Sequence, residues 1–303
     1  MSPAKIALFA VIAILSVVFF AQWLSLARRR ELRERPSWSD LGIGLLTNFG
    51  DALGIGSYAT TTALYKFRGR PSDELIPGTL TVGSVSVGIA ETIIMVTLIT
   101  VDPKLLIAMV ASATAGAWLG AGIVSRMRRR AIQLFMGAAL LIAAVFFVIG
   151  NLGAFPVGGA ALSLGGWRFL AAVAANFVLG ALSTIGIGWY APTMVVLALL
   201  GFNLRAAFPI MMGSGGVMLP VAGVRFLRSR RFAWGPSIGI AVAGVVGVLI
   251  AAFIVKSVPL HTLSWLVAAV VMYAAVVMLR SAHRDGARGG GSPSDDLKTD
   301  RAL

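Results

Sequence analysis

The sequence predicts an all-α polytopic membrane protein. Its plan is an inverted repeat of one re-entrant broken-helix hairpin plus three transmembrane helices, with an extra N-terminal transmembrane helix. Three observations predict it. Of 303 residues, 58% are hydrophobic and 13% charged, with a mean hydropathy of +0.88; soluble domains are nearer half apolar and a quarter charged. Basic residues gather in short clusters between apolar runs, the pattern of cytoplasmic membrane loops. A glycine phrase occurs twice, "GIGSYATT" from residue 54 and "GIGWYAPT" from residue 186, each inside an apolar stretch where a helix should run unbroken.

The apolar segments are 5–27, 39–65, 76–101, 104–125, 131–150, 168–200, 205–224, 236–255 and 261–280. The first has its strong positive charge behind it rather than in front and no small-x-small cleavage site. It therefore reads as a retained span with its N-terminus outside, not as a signal peptide. Clusters at 28–35, 66–70, 126–130, 225–231 and 280–288 should lie in the cytoplasm, and the junctions near Asp102, 150–166, Asn203 and Ser257 outside. The second segment has basic clusters at both ends and the sixth has outside junctions at both ends. Each must cross an even number of times, yet about 27 and 33 residues are too few for two full spans. A hairpin that dips to mid-membrane and returns, turning at the glycine phrase, resolves both. The organisation expected is thus 1–35 for the first span and its basic loop, 36–150 for repeat one, 151–167 for a linker loop and 168–284 for repeat two. A Gly/Ser-rich tail at 285–303 reads as disordered.

The phrases match 132 residues apart: Gly54, Gly56, Tyr58, Ala59 and Thr61 meet Gly186, Gly188, Tyr190, Ala191 and Thr193, followed by Pro77 with Pro209 and Gly83 with Gly215. Asn48 meets Asn176 at a spacing of 128, about one helical turn different. The second unit starts from the opposite side, an architecture common among secondary transporters. Alternate glycines let the backbone leave helical geometry, which lipid tolerates only where protein or a watery cavity receives the freed groups. Two breaks meeting at the midplane would build such a cavity. Half-helices starting near residues 60–62 and 193 would aim amides at it, so that an anion is the natural guest.

Gly54, Gly56, Gly186 and Gly188 are the leading substrate-site candidates, the alternative being close helix packing through small residues. Ser57, Tyr58, Thr61, Trp189, Tyr190 and Thr193 share the same phrases, and their polar groups serve either the guest or interhelical hydrogen bonds. Asn48 and Asn176 offer amide donors or lock each hairpin to a neighbour, the second role preferred. Glu91, mid-way along the third segment, and Asp51, just before the first phrase, are proton-coupling candidates, with a neutral packing role as the alternative. Their positional partners are Gly223 and Ser183. Arg168 and Arg205 read as boundary anchors.

The net charge of +14 does not imply nucleic acid, because no basic surface is interleaved with aromatics outside the apolar segments. Absence of cysteine removes thiolate metal sites and cysteine nucleophiles. Neither paired carboxylates nor metal-ligand spacing is present, so no enzyme, metal or cofactor is expected. There is no Walker-type loop to drive transport with ATP.

The two phrases, each heading about three spans, resemble the sulfite exporter TauE/SafE family, also called the toluenesulfonate uptake permeases. So does "ATAGAWLGAGIVSRMRRRAIQLFMGAALLIAA" at 113–144, with its small-residue span, basic loop and following helix. The resemblance covers about residues 40 to 280. It implies transport of sulfite, sulfonates or related organosulfur anions. Where family members often carry a longer glycine run, this chain has Ser57-Tyr58 and Trp189-Tyr190, aromatics that narrow the pocket or stack on a larger organic group.

The reading is a secondary permease for a small organosulfur anion held at the midplane, multi-pass in the cell (inner or plasma) membrane, with proton coupling as a hypothesis. A passive anion channel is the first alternative and an intramembrane enzyme the second. The partners expected are the small anion and the lipid bilayer, without nucleic acid; a homo-oligomer stays open.

Overall fold

A computed structural model describes residues 3–28, 34–53, 56–98, 101–154, 158–253 and 260–287. Among them the chain is helical: α1 (Pro3–Arg28), α2 (Trp38–Ala52), α3 (Ser57–Arg68), α4 (Ile76–Leu98), α5 (Pro103–Val124), α6 (Arg129–Asn151), α7 (Gly166–Ser183), α8 (Tyr190–Leu199), α9 (Leu204–Ser229), α10 (Trp234–Phe253) and α11 (Leu260–Ala287). Local sequence sets several boundaries. Ser37 and Asp40 form a capping box at the start of α2. Asp102 with Pro103 opens α5, and Asn203 accepts the Arg205 N–H at α9. Gly69, in the left-handed conformation, stops α3.

Among the described residues seven helices are long and apolar enough to cross a membrane, namely α1, α4, α5, α6, α7, α9 and α10, and α11 has 28 residues. The chain is a polytopic membrane protein. The helix pairs α2/α3 and α7/α8 correspond to the two expected hairpins. One feature differs from the expectation of two matched half-depth limbs: α7, with 18 residues, is long enough to span alone, whereas α8 has 10. The helices also run further than the apolar segments. Arg225 and Arg228 lie in the last turns of α9, and Arg280 and Arg284 in α11. Several clusters expected in loops are therefore helix C-terminal turns, where positive charge complements the dipole. Of the tail expected to be disordered, 285–287 are the last turn of α11, and 288–303 lie outside the described residues.

The basic clusters gather at one end. Arg70 reaches Glu34, Arg129 reaches both Glu74 and Asp285, and the Arg231 guanidinium donates to the carbonyls of Ser125 and Met127. At the other end Gly159 and Ala161 hydrogen-bond to the backbone of 201–203, and Lys104 lies over the Phe169 ring. Both broken pairs therefore close at their mouths. Asp40 and Ser37, opening α2, bind Arg68 at the end of α3; residues before α7 bind those after α8. The mouths face opposite ends of the bundle.

The halves interlock. The first limb of each pair runs parallel to the middle helix of the other half. Asp40 and Asn48 of α2 lie against Gly239 and Gly244 of α10, and Met109 and Ala113 of α5 against Asn176 and Gly180 of α7. Gly116 meets the Phe177 carbonyl so closely that no Cβ would fit. The first helices after the broken pairs, α4 and α9, pair antiparallel, Gly78 near Phe226 and Thr92 near Met212. So do the last, Gly137 near Leu279 and Gln133 bonded to Asp285. Helix α1 lies on α9, where Phe19 covers Gly223.

Candidate functional site

The two interruptions are built differently. The first follows the Leu53 cap of α2. Gly54 lies outside the described residues, and Gly56, with φ +82°, precedes α3. That conformation strains any residue with a Cβ. Asp51 then caps the new helix, its Oδ1 accepting the Ser57 N–H at 3.0 Å and its Oδ2 the Ser57 hydroxyl at 2.6 Å. In the second, short turns after Ser183 lead to Gly186 at φ +100°. Helix α8 begins at Tyr190 with no side-chain cap. Both half-helices start about three residues earlier than expected, so the amides at the breaks belong to Ser57 and Tyr58 and to Tyr190 and Ala191. Pro192 contributes none.

Both interruptions open on one cavity of about 310 Å³. Of the residues singled out in the sequence, Asp51, Gly56, Ser57, Tyr58, Gly188, Trp189 and Tyr190 line it. The three aromatics form one assembly: Tyr58 meets Trp189 edge-on at 5.4 Å between ring centroids, and Trp189 meets Tyr190 at 4.7 Å. Trp189 is anchored by its N–H to the Met211 carbonyl at 3.1 Å. Tyr190 donates its hydroxyl to Glu91 Oε2 at 2.6 Å. Glu91 itself does not line the cavity. It stands behind Tyr190, buried, with Oε1 lacking a partner.

The remaining candidates sit elsewhere. Thr61 donates to the Thr47 hydroxyl at 2.8 Å, and Thr193 to Asn176 Oδ1 at 3.4 Å, so each ties the two limbs of its own pair. Asn176 also donates to the Met109 carbonyl at 2.7 Å, which fixes α7 to α5. Asn48 bonds back to Gly44 of its own helix at 2.7 Å and packs on Gly244 of α10. Gly186 lies below the cavity against Met136, Leu80 and Thr62. For Thr61, Thr193 and Asn176 the interhelical alternative describes their hydrogen bonds, whereas Asn48 bonds within α2 and only packs on α10.

One wall went unforeseen. Phe146, Phe147, Gly150 and Asn151 of α6 close the cavity from the side, at the end of α6 away from its basic turn. In the sequence this stretch reads as one more apolar span, and no periodicity marks it as a wall. The cavity is therefore not centred between the ends of the bundle; it extends along the half of α6 remote from Arg129. No Lys, Arg or His is among its lining residues, and among the described residues no group of three or more acidic or His side chains could hold a metal.

An apolar helical bundle with two interrupted pairs around a shared cavity is the architecture of a multi-pass membrane protein. Residues 1–147 match the family model described as sulfite exporter TauE/SafE, which supports the family read from the two phrases and a role in membrane transport. The match takes in α1, ahead of the expected start near residue 40, and ends within α6. No curated protein and no solved structure gives a significant match.

Proposed function

We propose that the chain is a secondary carrier for a small organosulfur anion such as sulfite or a sulfonate, bound between two halves of inverted topology. The observation that carries this reading is the convergence of both glycine phrases on one cavity. The inverted relation has its own support. The pairings exchange when the halves are swapped (α2 on α10 for α7 on α5, α4 on α10 for α9 on α5), and the equivalent helices α4 and α9 run antiparallel. A two-fold axis lying across the helices accounts for that pattern, and in a bilayer such an axis lies in the membrane plane.

The chemistry follows from the site. The start of α8 offers uncapped amides and a positive dipole end to a negatively charged group, and the start of α3 presents its dipole end there with the Ser57 N–H held by Asp51. The Tyr58, Trp189 and Phe147 rings make an apolar surround. Two carboxylates stand at this site, Asp51 in the wall and Glu91 behind Tyr190, so an anion enters a field that a proton on one of them relieves. Proton coupling is part of the proposal for that reason, and the cell membrane is the proposed location.

Purified protein in liposomes tests it. A carrier shows saturable uptake of radiolabelled sulfite or methanesulfonate and accumulates label by counterflow against a trapped unlabelled pool. Flux that rises linearly with concentration and shows no counterflow would establish a channel instead.

A further inference from the structure

The two half-helices at the cavity begin with different occupants. At α8 the first-turn amides meet no side-chain acceptor. At α3 the seat is taken: the Asp51 carboxylate holds both the N–H and the hydroxyl of Ser57. Asp51 and Ser57 are each more than nine-tenths buried, and both line the cavity. The geometry around Asp51 is that of a carboxylate bound in an anion site, the carboxylate being supplied by the chain.

Among the described residues the surroundings offer this charge no positive partner. The titratable groups facing it are Tyr58 on α3, Glu91 on α4 and Tyr190 on α8. Helix α10, packed along α2, has no ionisable residue, and neither does the cavity-lining half of α6. Any guest anion in a space of about 310 Å³ lies within several ångströms of Asp51. At about 6 Å and an effective dielectric constant near 20, such a pair repels strongly enough to change affinity on the order of tenfold to a hundredfold.

We propose that Asp51 is the cavity's resident anion, holding the α3 seat in place of the transported solute and yielding it on taking up a proton. This rests on the anion-carrier reading above. The step is a protonation alone: one proton from solvent converts the carboxylate to the acid, its negative charge is lost, and the Ser57 N–H and hydroxyl turn to an oxygen of the guest. Each anion so bound is accompanied by one proton on Asp51. Glu91 touches the cavity only through Tyr190 and acts as a positioning residue for that hydroxyl.

The test is binding of methanesulfonate, whose charge is fixed across the range, to the purified full-length chain by calorimetry at pH 5.5 and pH 8. The wild type should bind at least about tenfold tighter at the lower pH. Asp51→Asn keeps an acceptor for Ser57 while removing the charge; it should bind at pH 8 about as tightly as the wild type at pH 5.5, with the pH slope gone. Glu91→Gln should keep the slope even where its affinity falls. An Asp51→Asn chain with the wild-type slope overturns the proposal. Should that variant fail to fold, Ser57→Ala removes the hydroxyl contact and leaves the charge: a slope that persists supports the proposal, and one that vanishes overturns it. Binding with equal slopes in the wild type and Asp51→Asn sinks this inference alone. No binding in any variant at either pH sinks the carrier reading with it.

Discussion

The two broken pairs use the same phrase and reach different outcomes. Helix α3 is covered: Ala59 and Ala63 pack with Leu140 and Ala144 of α6 and with Val271, Ala274 and Ala275 of α11. Phe67 stacks on Tyr273 with ring centroids 5.0 Å apart. Helix α8, its counterpart, packs on α7 and α9 but not along α6, the helix that corresponds to α11. The cavity occupies that gap. In a molecule whose other pairings exchange between halves, this is the place where the exchange fails. A carrier built from two equivalent halves must be unequal in any one state, because equal halves would be open at both ends or closed at both. On the carrier reading proposed above, the structure would correspond to a state closed at α3/α11 and open at α8/α6.

The largest effect expected comes from closing the gap. The chain has no cysteine, so Ala143→Cys with Ala191→Cys gives a pair flanking the cavity without background. Bridging them with a cleavable bifunctional reagent should reduce counterflow to background, and cleavage should restore it. Undiminished uptake in the bridged protein would remove the α8/α6 gap from the transport path. Next comes Tyr190→Phe, which leaves both Glu91 oxygens without a donor. Uptake should fall about tenfold, on the scale of a lost hydrogen bond to a charged group, and unchanged uptake would separate Glu91 from transport.

Symmetry itself makes the third prediction. Gly44→Ala meets the Gly239 backbone across α2/α10 and Gly116→Ala the Phe177 backbone across α5/α7. Each should destabilise by about 1–3 kcal/mol through overpacking, and thermal unfolding should show drops of similar size. A large drop at one site alone would break the equivalence of the two interfaces. The smallest effect belongs to Tyr273→Ala. Losing the ring stack costs about 0.5–1.5 kcal/mol of the closed contact, read as faster labelling of a cysteine placed at Ala59 and not of one at Ala191.

Much of this was legible in the sequence, for identifiable reasons. Charge placement fixed which ends come together, because arginines bias loop placement independently of packing. The two even-crossing segments located the breaks, and the shared spacing of Gly56 with Gly188 and of Tyr58 with Tyr190 pointed to residues that face one cavity. Three things stayed hidden. The destination of a hydroxyl depends on packing, so the sequence leaves Thr61 and Thr193 open between the guest and the interhelical bonds they make. The wall from Phe146 to Asn151 carries no pattern that separates it from any other apolar span. The contact that occupies Asp51 is made six residues downstream, with Ser57, and no local pattern announces it.

The limb lengths have an electrical consequence. Helix α2 intrudes about 22 Å from one end of the bundle and α7 about 27 Å from the other, given 15 and 18 residues. In a hydrocarbon layer of about 30 Å those intrusions overlap. On the carrier reading, the insulating part of the path is the packed core on the far side of Tyr58 and Trp189 from the cavity, where Tyr65, Ile76, Leu80 and Met136 are buried, and most of the transmembrane voltage would fall there. A lone monovalent anion passing it would gain or lose about 2.3 kcal/mol per 100 mV. An anion travelling with a proton would cross the same field without electrical work.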